Sequence, residues 1–153
     1  MRVLASKVPP LLLAAVVGAC MWGVSQVTGR MPVPEIVRMG GAALLLALGV
    51  FFSVAGVISF RQANTTVDPR KPEAASSLVS SGIYRFSRNP MYVGFALALS
   101  AWAVFLASAW SLSGVVGFVL YLNHFQIIPE EQALRELFGE EFRAYESRVR
   151  RWL

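Results

Sequence analysis

The sequence predicts an all-α integral membrane protein: a bundle of about four transmembrane helices followed by an amphipathic C-terminal helix. Two observations predict this fold class. Of the 153 residues, 56% are hydrophobic and 15% are charged, whereas soluble domains carry about 25% charged residues. The apolar residues also fall in long blocks without the alternation of β-strands, and a helix satisfies the backbone of such a block in lipid.

Four apolar blocks approach the ~20 residues that a helix needs to cross the hydrocarbon layer. They are residues 8–27, 39–60, 91–109 and 112–128. Only a short turn around Trp110 and Ser111 separates the last two blocks, so we expect them to form a helical hairpin. Residues 61–89 are expected to form a loop, and the whole chain to form a single membrane domain.

The first block has a second interpretation as a secretory signal. Arg2 and Lys7 precede it, and residues 17–20 (VGAC) loosely resemble a lipoprotein cleavage site. However, the block is long, starts with Pro9 and Pro10, and is followed by three further blocks. We therefore expect it to be retained as the first transmembrane helix.

Lysine and arginine residues predict the orientation of the spans. They are frequent before the first block, in the loop at 61–89 and in the C-terminal tail, whereas the loop between the first two blocks has only Arg30 and Arg38. An even number of spans with both termini in the cytoplasm satisfies this distribution. The net charge of +5 then indicates contact with anionic membrane lipids rather than with nucleic acid.

Residues 130–153 are predicted to form the amphipathic helix. Its apolar residues recur at intervals of three and four, and they are Leu134, Leu137, Phe138, Phe142, Tyr145, Val149 and Trp152. This helix either lies in the membrane interface or folds over the cytoplasmic end of the bundle.

Two polar clusters flank a long apolar stretch, because no Asp, Glu, Lys or Arg lies between Arg88 and Glu130. The expected hairpin returns the chain to the same face of the membrane and thus brings the two clusters together. Arg85 and Arg88 are either anchors of the third span or ligands for an anion. Asn89 and Pro90 suit the first turn of that span, since Asn is a good N-cap residue and Pro is favoured just after it.

Pro129 is expected to kink or end the fourth span, which would leave a helix N-terminus beside Glu130 and Glu131. The two carboxylates either decorate this helix start or bind an ammonium group or hydroxyl groups. His124 is either a packing residue or a general base. With one histidine and one cysteine, Cys20, the sequence predicts no metal site.

The residues of the two clusters together resemble a known family. Residues 82–94 read G-x-Y-R-x-x-R-N-P-x-Y-x-G, and residues 130–152 read E-E-x-x-L-x-x-x-F-G-x-x-F-x-x-Y-x-x-R-V-x-R-W. In this order and separated by a two-span hairpin, they resemble the isoprenylcysteine carboxyl methyltransferase and phospholipid methyltransferase superfamily. Residues 65–69 (TTVDP) also resemble its prokaryotic members.

The resemblance implies a multi-pass enzyme of a prokaryotic cell membrane that transfers a methyl group from S-adenosylmethionine to a lipophilic acceptor. The acceptor and the membrane lipids are the predicted partners, and we make no prediction of the oligomeric state. The residues that the resemblance implies along the cofactor are Ser77, Leu78, Val79, Tyr84, Asn89, Pro90, Tyr92, Leu97, Ser100 and Glu130. The candidate catalytic residues are Arg88, Asn89, His124 and Glu131.

Two positions depart from the family pattern. Asn89 stands where many members have a histidine, so an imidazole has no role at that position. Gln126 stands where the eukaryotic isoprenylcysteine enzymes carry an arginine for the substrate carboxylate, one helical turn before the residue that matches Glu130. This departure argues against a prenylcysteine carboxylate as the acceptor.

Two other functions fit parts of the sequence. A small transporter or a structural membrane protein would also have four short spans, but a transport pathway calls for ionisable groups within the spans, and His124 is the only such group there. A membrane reductase with a nicotinamide cofactor is the second alternative, since sterol reductases distantly resemble the same region.

Overall fold

The structure, a computed structural model, describes residues 8–63 and 77–153. Within these ranges every regular element is helical, which confirms the predicted all-α fold. The α-helices are α1 (Pro10–Val27), α2 (Glu35–Gln62), α3 (Pro90–Leu106), α4 (Leu112–Leu122) and α5 (Ile128–Glu146). Shorter helical turns lie at Gly82–Arg85, Ala109–Ser111 and Asn123–Ile127.

Several predictions concern residues 1–7 and 64–76, which lie outside the described residues. Arg2, Lys7, Arg70 and Lys71 bear on the orientation of the spans, and the TTVDP segment at 65–69 bears on the family resemblance. The cytoplasmic location of both termini therefore stays a prediction.

Three helical segments of the described chain are long and apolar enough to cross a membrane. They are Pro10–Val27, Glu35–Gln62 and the continuous stretch Ala109–Glu146. The apolar helix α3 has 17 residues, which is the lower limit for a spanning helix. It ends before the predicted boundary because Ala107 has a left-handed backbone with φ 49°.

Large apolar side chains cover the outer faces of α1 and α2. Leu11 is 67% exposed, Leu44 is 63% exposed and Phe51 is 57% exposed. Soluble monomers rarely expose large contiguous apolar patches, whereas lipid-facing helices do so along their whole length. The molecule is therefore a membrane helical bundle whose polar groups lie at its ends.

The backbones of α2 and α3 are in close contact. A Cβ atom on Gly94 would clash with Ser53 Oγ and lie 2.6 Å from the Gly49 carbonyl oxygen, and a Cβ atom on Gly49 would lie 2.8 Å from the Gly94 carbonyl oxygen. Only glycine allows this approach at either position. Small residues commonly bring helices together in lipid, and here they fix α3 against α2.

The end of the bundle where α3 turns into α4 is called the hairpin end, and the opposite end is called the polar end. At the hairpin end, Thr28 and Ser108 share a hydroxyl–hydroxyl hydrogen bond of 2.9 Å. Ser111 Oγ donates to the Met21 carbonyl oxygen at 3.1 Å. These bonds tie the second half of α1 to the turn between α3 and α4.

Helix α4, a π turn at Asn123–Ile127 and helix α5 form one continuous stretch. The Ile128 N–H group donates to the Asn123 carbonyl oxygen, which is the wide spacing of a π-helix. Pro129 has no N–H group and its ring crowds the carbonyl of the preceding turn, so the wider turn gives the ring room. The helix does not end at Pro129, and the helix N-terminus expected beside Glu130 is not formed.

Helix α5 bends at Gly139, where φ is 52° and ψ is −120°, a conformation that glycine adopts readily. The helix ends at Glu146 instead of continuing to the C-terminus as predicted, and residues 147–153 return over the polar end. Phe142 and Tyr145 are buried beside Tyr84. Of the two predicted positions for this helix, the fold over the end of the bundle is the one observed.

Candidate active site

The segment before α3 is held against α2 by a glycine turn. Gly82 begins the helical turn Gly82–Arg85 with φ +59°, and a Cβ atom there would lie 2.7 Å from Ser59 Oγ. The turn buries Tyr84, whose ring packs edge-on against Phe60 with the centroids 5.3 Å apart. A glycine at this position therefore places the aromatic ring at the polar end.

Tyr84 lies in a small apolar cluster with Val79, Phe142 and Tyr145. Its carbonyl oxygen accepts a hydrogen bond from the Tyr145 hydroxyl at 2.7 Å. Burial is the main cause that raises the pKa of the Tyr84 phenol well above its usual value. Tyr84 is therefore a neutral hydroxyl and an aromatic surface, not a base.

Glu130 is held by two uncharged donors. The Tyr92 hydroxyl donates to Glu130 Oε1 at 2.7 Å, and Gln126 Nε2 donates to the same oxygen at 2.5 Å. Among the described residues, no hydrogen bond to Oε2 is observed. The arrangement orients a carboxylate at the polar end and leaves one of its oxygens open to a ligand with N–H or O–H groups.

The next carboxylate, Glu131, is held by arginines. It accepts hydrogen bonds from Arg88 Nη2 at 2.8 Å and from Arg151 Nη2 at 2.7 Å, and Arg135 Nη2 lies 3.6 Å away. Glu146 lies 2.5 Å from Arg135 and 3.4 Å from Arg88. These five residues are called the Glu131 cluster, and their charges are largely paired with one another.

The C-terminal segment is fastened to the start of α3 by main-chain carbonyls. The Arg88 N–H group donates to the Arg150 carbonyl oxygen at 2.9 Å. Asn89 Nδ2 donates to the Arg151 carbonyl oxygen at 3.0 Å. The Asn89 side chain thus binds the C-terminal segment and does not cap α3, in contrast to the capping role considered above.

Tryptophan and asparagine make a further link between the C-terminal segment and the π turn. Trp152 Nε1 donates to Asn123 Oδ1 at 3.0 Å. Because Gln126 lies in the same turn and contacts Glu130, the C-terminal segment, the π turn and the candidate ligand carboxylate form one connected unit.

The remaining predicted residues are placed as follows. Ser77 Oγ donates to the Ala63 carbonyl oxygen at 3.2 Å, and Leu78 packs on the Tyr84 cluster. Pro90 is buried in the first turn of α3. These three residues therefore lie at the polar end, and their place along a cofactor stays a prediction.

Leu97 and Ser100 lie further along α3, about 8 and 12 Å from Tyr92 at the helical rise of 1.5 Å per residue. Leu97 faces α2 at Gly49, and Ser100 Oγ donates to the Ala96 carbonyl oxygen. His124 is exposed on the π turn with its ring edge-on to Phe125. The described contacts do not bring these three residues to the Glu130 carboxylate, and their functional roles stay predictions.

Four residues around the carboxylates were not predicted as site residues. Gln126 is buried against Glu130, and Arg135, Arg151 and Glu146 belong to the Glu131 cluster. In the sequence, two features pointed to two of these residues. Gln126 lies one helical turn before Glu130, and Arg151 belongs to the C-terminal pattern. Neither signal reveals which carboxylate each residue contacts.

Comparison with known proteins identifies the family. The sequence model described as phospholipid methyltransferase matches residues 37–141, from the start of α2 into the second half of α5. The chain belongs to the phospholipid methyltransferase family. The match includes Tyr84, Asn89, Tyr92 and both neighbouring carboxylates, and it ends before Arg151.

Individual relatives cover different parts of the chain. An uncharacterized protein of Haemophilus influenzae is 44% identical over 63 residues, which are 41% of this chain and 100% of that protein. Methanethiol S-methyltransferase 1 of Bradyrhizobium diazoefficiens is 36% identical over 67 residues, 44% of this chain and 22% of that protein. Methanethiol S-methyltransferase of Pseudomonas deceptionensis is 29% identical over 134 residues, 84% of this chain.

This chain spans less than half of the length of the two named methyltransferases, since the matches cover 22% and 47% of them. No solved structure matches the chain. The family is therefore established by sequence, and the arrangement of the candidate site comes from the structure described above.

Proposed function

We propose that this protein is an integral membrane methyltransferase that uses S-adenosylmethionine and methylates a small lipophilic acceptor. The observation that carries the proposal is the Glu130 carboxylate, whose Oε1 is held by Tyr92 and Gln126 while Oε2 accepts no hydrogen bond among the described residues. Membership of the phospholipid methyltransferase family and the names of two relatives support the same reaction class.

The residues present suit the polar parts of the cofactor. A carboxylate with an open oxygen accepts hydrogen bonds from an ammonium group or from ribose hydroxyls. The buried Tyr84 and Tyr92 rings lie on either side of Asn89 in sequence and offer aromatic surface. When bound, S-adenosylmethionine supplies a methyl group on a positively charged sulfur, which makes that methyl group electrophilic.

The role of the protein in this reaction is to position the reactants and exclude water. Glu130 orients the cofactor, while the C-terminal segment covers the polar end through its bonds to Arg88 and Asn89. A carboxylate acceptor needs no general base. For a thiol or an amine acceptor, Glu131 and His124 remain the candidate bases, although Glu131 is paired with arginines.

Calorimetry with the demethylated product, S-adenosylhomocysteine, tests the proposal on the full chain in lipid nanodiscs. We expect binding by the native protein and an affinity at least roughly tenfold lower for Glu130→Gln, since a hydrogen bond to a charged group contributes about 1.5–3 kcal/mol. Glu140→Gln is the matched control, because Glu140 lies on the same helix with its side chain 86% exposed.

Folded native protein that does not bind the product would refute the proposal. Binding of a nicotinamide cofactor in its place would favour the reductase instead. Equal losses of affinity in Glu130→Gln and Glu140→Gln would show that Glu130 is not the ligand carboxylate.

A further inference from the structure

An apolar groove lies between α1 and α3 at the level of the hydrocarbon layer. It has a volume of about 450 Å³, which is within the ~300–1,000 Å³ of typical small-molecule sites. One wall is formed by Leu11, Ala14 and Gly18 of α1, and the other by Phe95, Leu99 and Trp102 of α3.

The groove walls are almost entirely apolar. The polar side-chain atom of Trp102, Nε1, donates to the Gly18 carbonyl oxygen at 3.0 Å, so the polar atoms of both residues are already paired. Trp22, at the groove end nearer the hairpin, carries one further polar side-chain atom, its indole nitrogen, and the other lining residues are apolar. A guest in this groove must therefore present hydrocarbon, because a buried polar group without a partner is costly.

The groove leads to the candidate active site along one face of α3. Tyr92, Phe95, Leu99 and Trp102 recur at intervals of three and four, so they form a single stripe on that helix. Phe95 lies one turn, about 4.5 Å of helical rise, beyond Tyr92. Since the Tyr92 hydroxyl binds Glu130, the polar end of the groove is close to the carboxylate proposed to bind the cofactor.

We propose that this groove binds the hydrocarbon part of the methyl acceptor and directs its nucleophilic atom toward the Tyr92–Glu130 end. This inference rests on the proposed methyltransferase function. For a thiol acceptor, the thiol proton would leave to a general base, a new bond would form between the acceptor sulfur and the methyl carbon, and the bond from that carbon to the cofactor sulfur would break with its electron pair returning to the cofactor sulfur.

The dimensions of the groove favour a short alkyl chain over a helix of a second copy. From Phe95 to Trp102 the groove extends about 10 Å along α3, whereas a transmembrane helix packs along about 20 residues. Trp22 and Trp102 lie at the groove end nearer the hairpin. Their large rings limit the length of chain that the groove accepts.

Gly18→Leu tests the proposal because it fills the groove with little strain. A Cβ atom on Gly18 would make ordinary contacts, 3.8 Å from Leu99 and 4.0 Å from Trp102, and the rest of the leucine side chain would occupy the groove. Ala15→Leu is the matched control, since Ala15 is exposed on the same helix and does not line the groove.

The binding experiment uses an octanethiol that carries a terminal photoreactive diazirine, with the full chain in phosphatidylcholine nanodiscs. We expect peptides of α1 and α3 to be labelled, unmodified 1-octanethiol to compete, and Gly18→Leu to reduce labelling at least fivefold. Ala15→Leu should label as the native protein does. This result does not depend on catalysis, so it remains decisive even if no thiol is methylated.

Labelling spread equally over the exposed face of α2, or labelling that octanethiol does not reduce, would show that only bilayer lipid occupies the groove and would overturn the proposal. Cross-links between two copies through α1 and α3 would identify a second chain as the occupant and would also overturn it.

The kinetic experiment compares methanethiol with 1-octanethiol as acceptors. We expect Gly18→Leu to lower kcat/KM for octanethiol by roughly tenfold or more, the scale on which a hydrophobic pocket discriminates size, and to lower the value for methanethiol much less, because its single carbon does not reach along the groove. Equal losses for both acceptors would overturn the proposal. If the folded native protein does not bind S-adenosylhomocysteine, the methyltransferase function itself is refuted, whatever the labelling shows.

Discussion

Glu130 and Glu131 are neighbours in sequence but have opposite surroundings. Glu130 is held by two neutral donors, Tyr92 and Gln126, with one oxygen open. Glu131 is 4% exposed and contacts three guanidinium groups. Successive residues of a helix point about 100° apart, so one step along α5 separates a residue suited to a ligand from a residue that holds the fold together.

The different surroundings of the two carboxylates suit Glu130 to ligand binding and Glu131 to the stability of the fold. A carboxylate paired with arginines has little capacity left for a ligand, whereas removal of its charge takes from the buried Arg88 the nearer of its two carboxylate partners. A carboxylate held by neutral groups has the opposite properties. Substitutions at and around Glu131 are therefore expected to lower stability, whereas substitutions around Glu130 are expected mainly to lower ligand affinity.

Glu131→Gln is expected to have the largest effect on stability. The substitution removes the nearer of the two carboxylates that Arg88 contacts, while Glu146 remains at 3.4 Å. Because the Arg88 side chain is only 10% exposed and the loss of a buried ion-pair partner costs up to about 3–5 kcal/mol, this is the largest loss we expect. Thermal unfolding in detergent measures the loss, with Glu140→Gln as the exposed control. A Glu131→Gln protein as stable as that control would show that the cluster contributes no net stability.

Arg151→Ala is expected to have an intermediate effect, about 1–2 kcal/mol, because its hydrogen bonds to Glu131 are charge-assisted but its side chain is 34% exposed. The C-terminal segment should also become more sensitive to limited proteolysis. Arg151→Lys should recover part of the stability. Arg150→Ala is the control, since the Arg150 side chain is exposed, and equal effects of the two alanine variants would contradict the assignment.

Tyr92→Phe is expected to have the smallest effect. It removes one neutral donor to Glu130, so the stability should fall by about 1 kcal/mol or less. The affinity for S-adenosylhomocysteine should fall roughly fivefold, because the carboxylate loses part of its orientation. Calorimetry and thermal unfolding on the same preparation measure both values. A loss of stability as large as that of Glu131→Gln would remove the distinction between the two carboxylates.

The sequence was sufficient to predict the helical membrane fold and the meeting of the two polar clusters. Both depend on strong local signals: long apolar blocks, and a charge-free stretch that crosses the membrane and returns. The bond between Tyr92 and Glu130 agrees with this expectation. The family, too, was identified from the residues of these clusters.

The sequence did not reveal which residue pairs with which. The contacts of Arg151 with Glu131 require the chain to leave its helix at Glu146 and turn back, whereas the apolar periodicity continues to Trp152. The π turn before Pro129 was also missed, because its extra residue leaves no mark in the hydrophobic pattern. The return of the chain after Glu146 is set by tertiary contacts, whereas the π turn accommodates the ring of Pro129, and apolar periodicity reveals neither.

The positions of the hydrogen bonds along α1 determine where a guest molecule can enter and leave the groove between α1 and α3. The described hydrogen bonds from α1 and its C-cap residue to other helices or turns involve Gly18, Met21 and Thr28, which lie from the middle of the helix to its C-terminal end. The first turns, which carry Leu11 and Ala14, are held by apolar contact, while α3 is fixed on its other side by Gly49 and Gly94. Apolar contact between helices gains little over contact with lipid tails, so α1 parts from α3 most easily at its first turns. Under the proposed function, a methylated product would leave the groove between these turns, beside the Tyr92–Glu130 end, and return to the bilayer without crossing water.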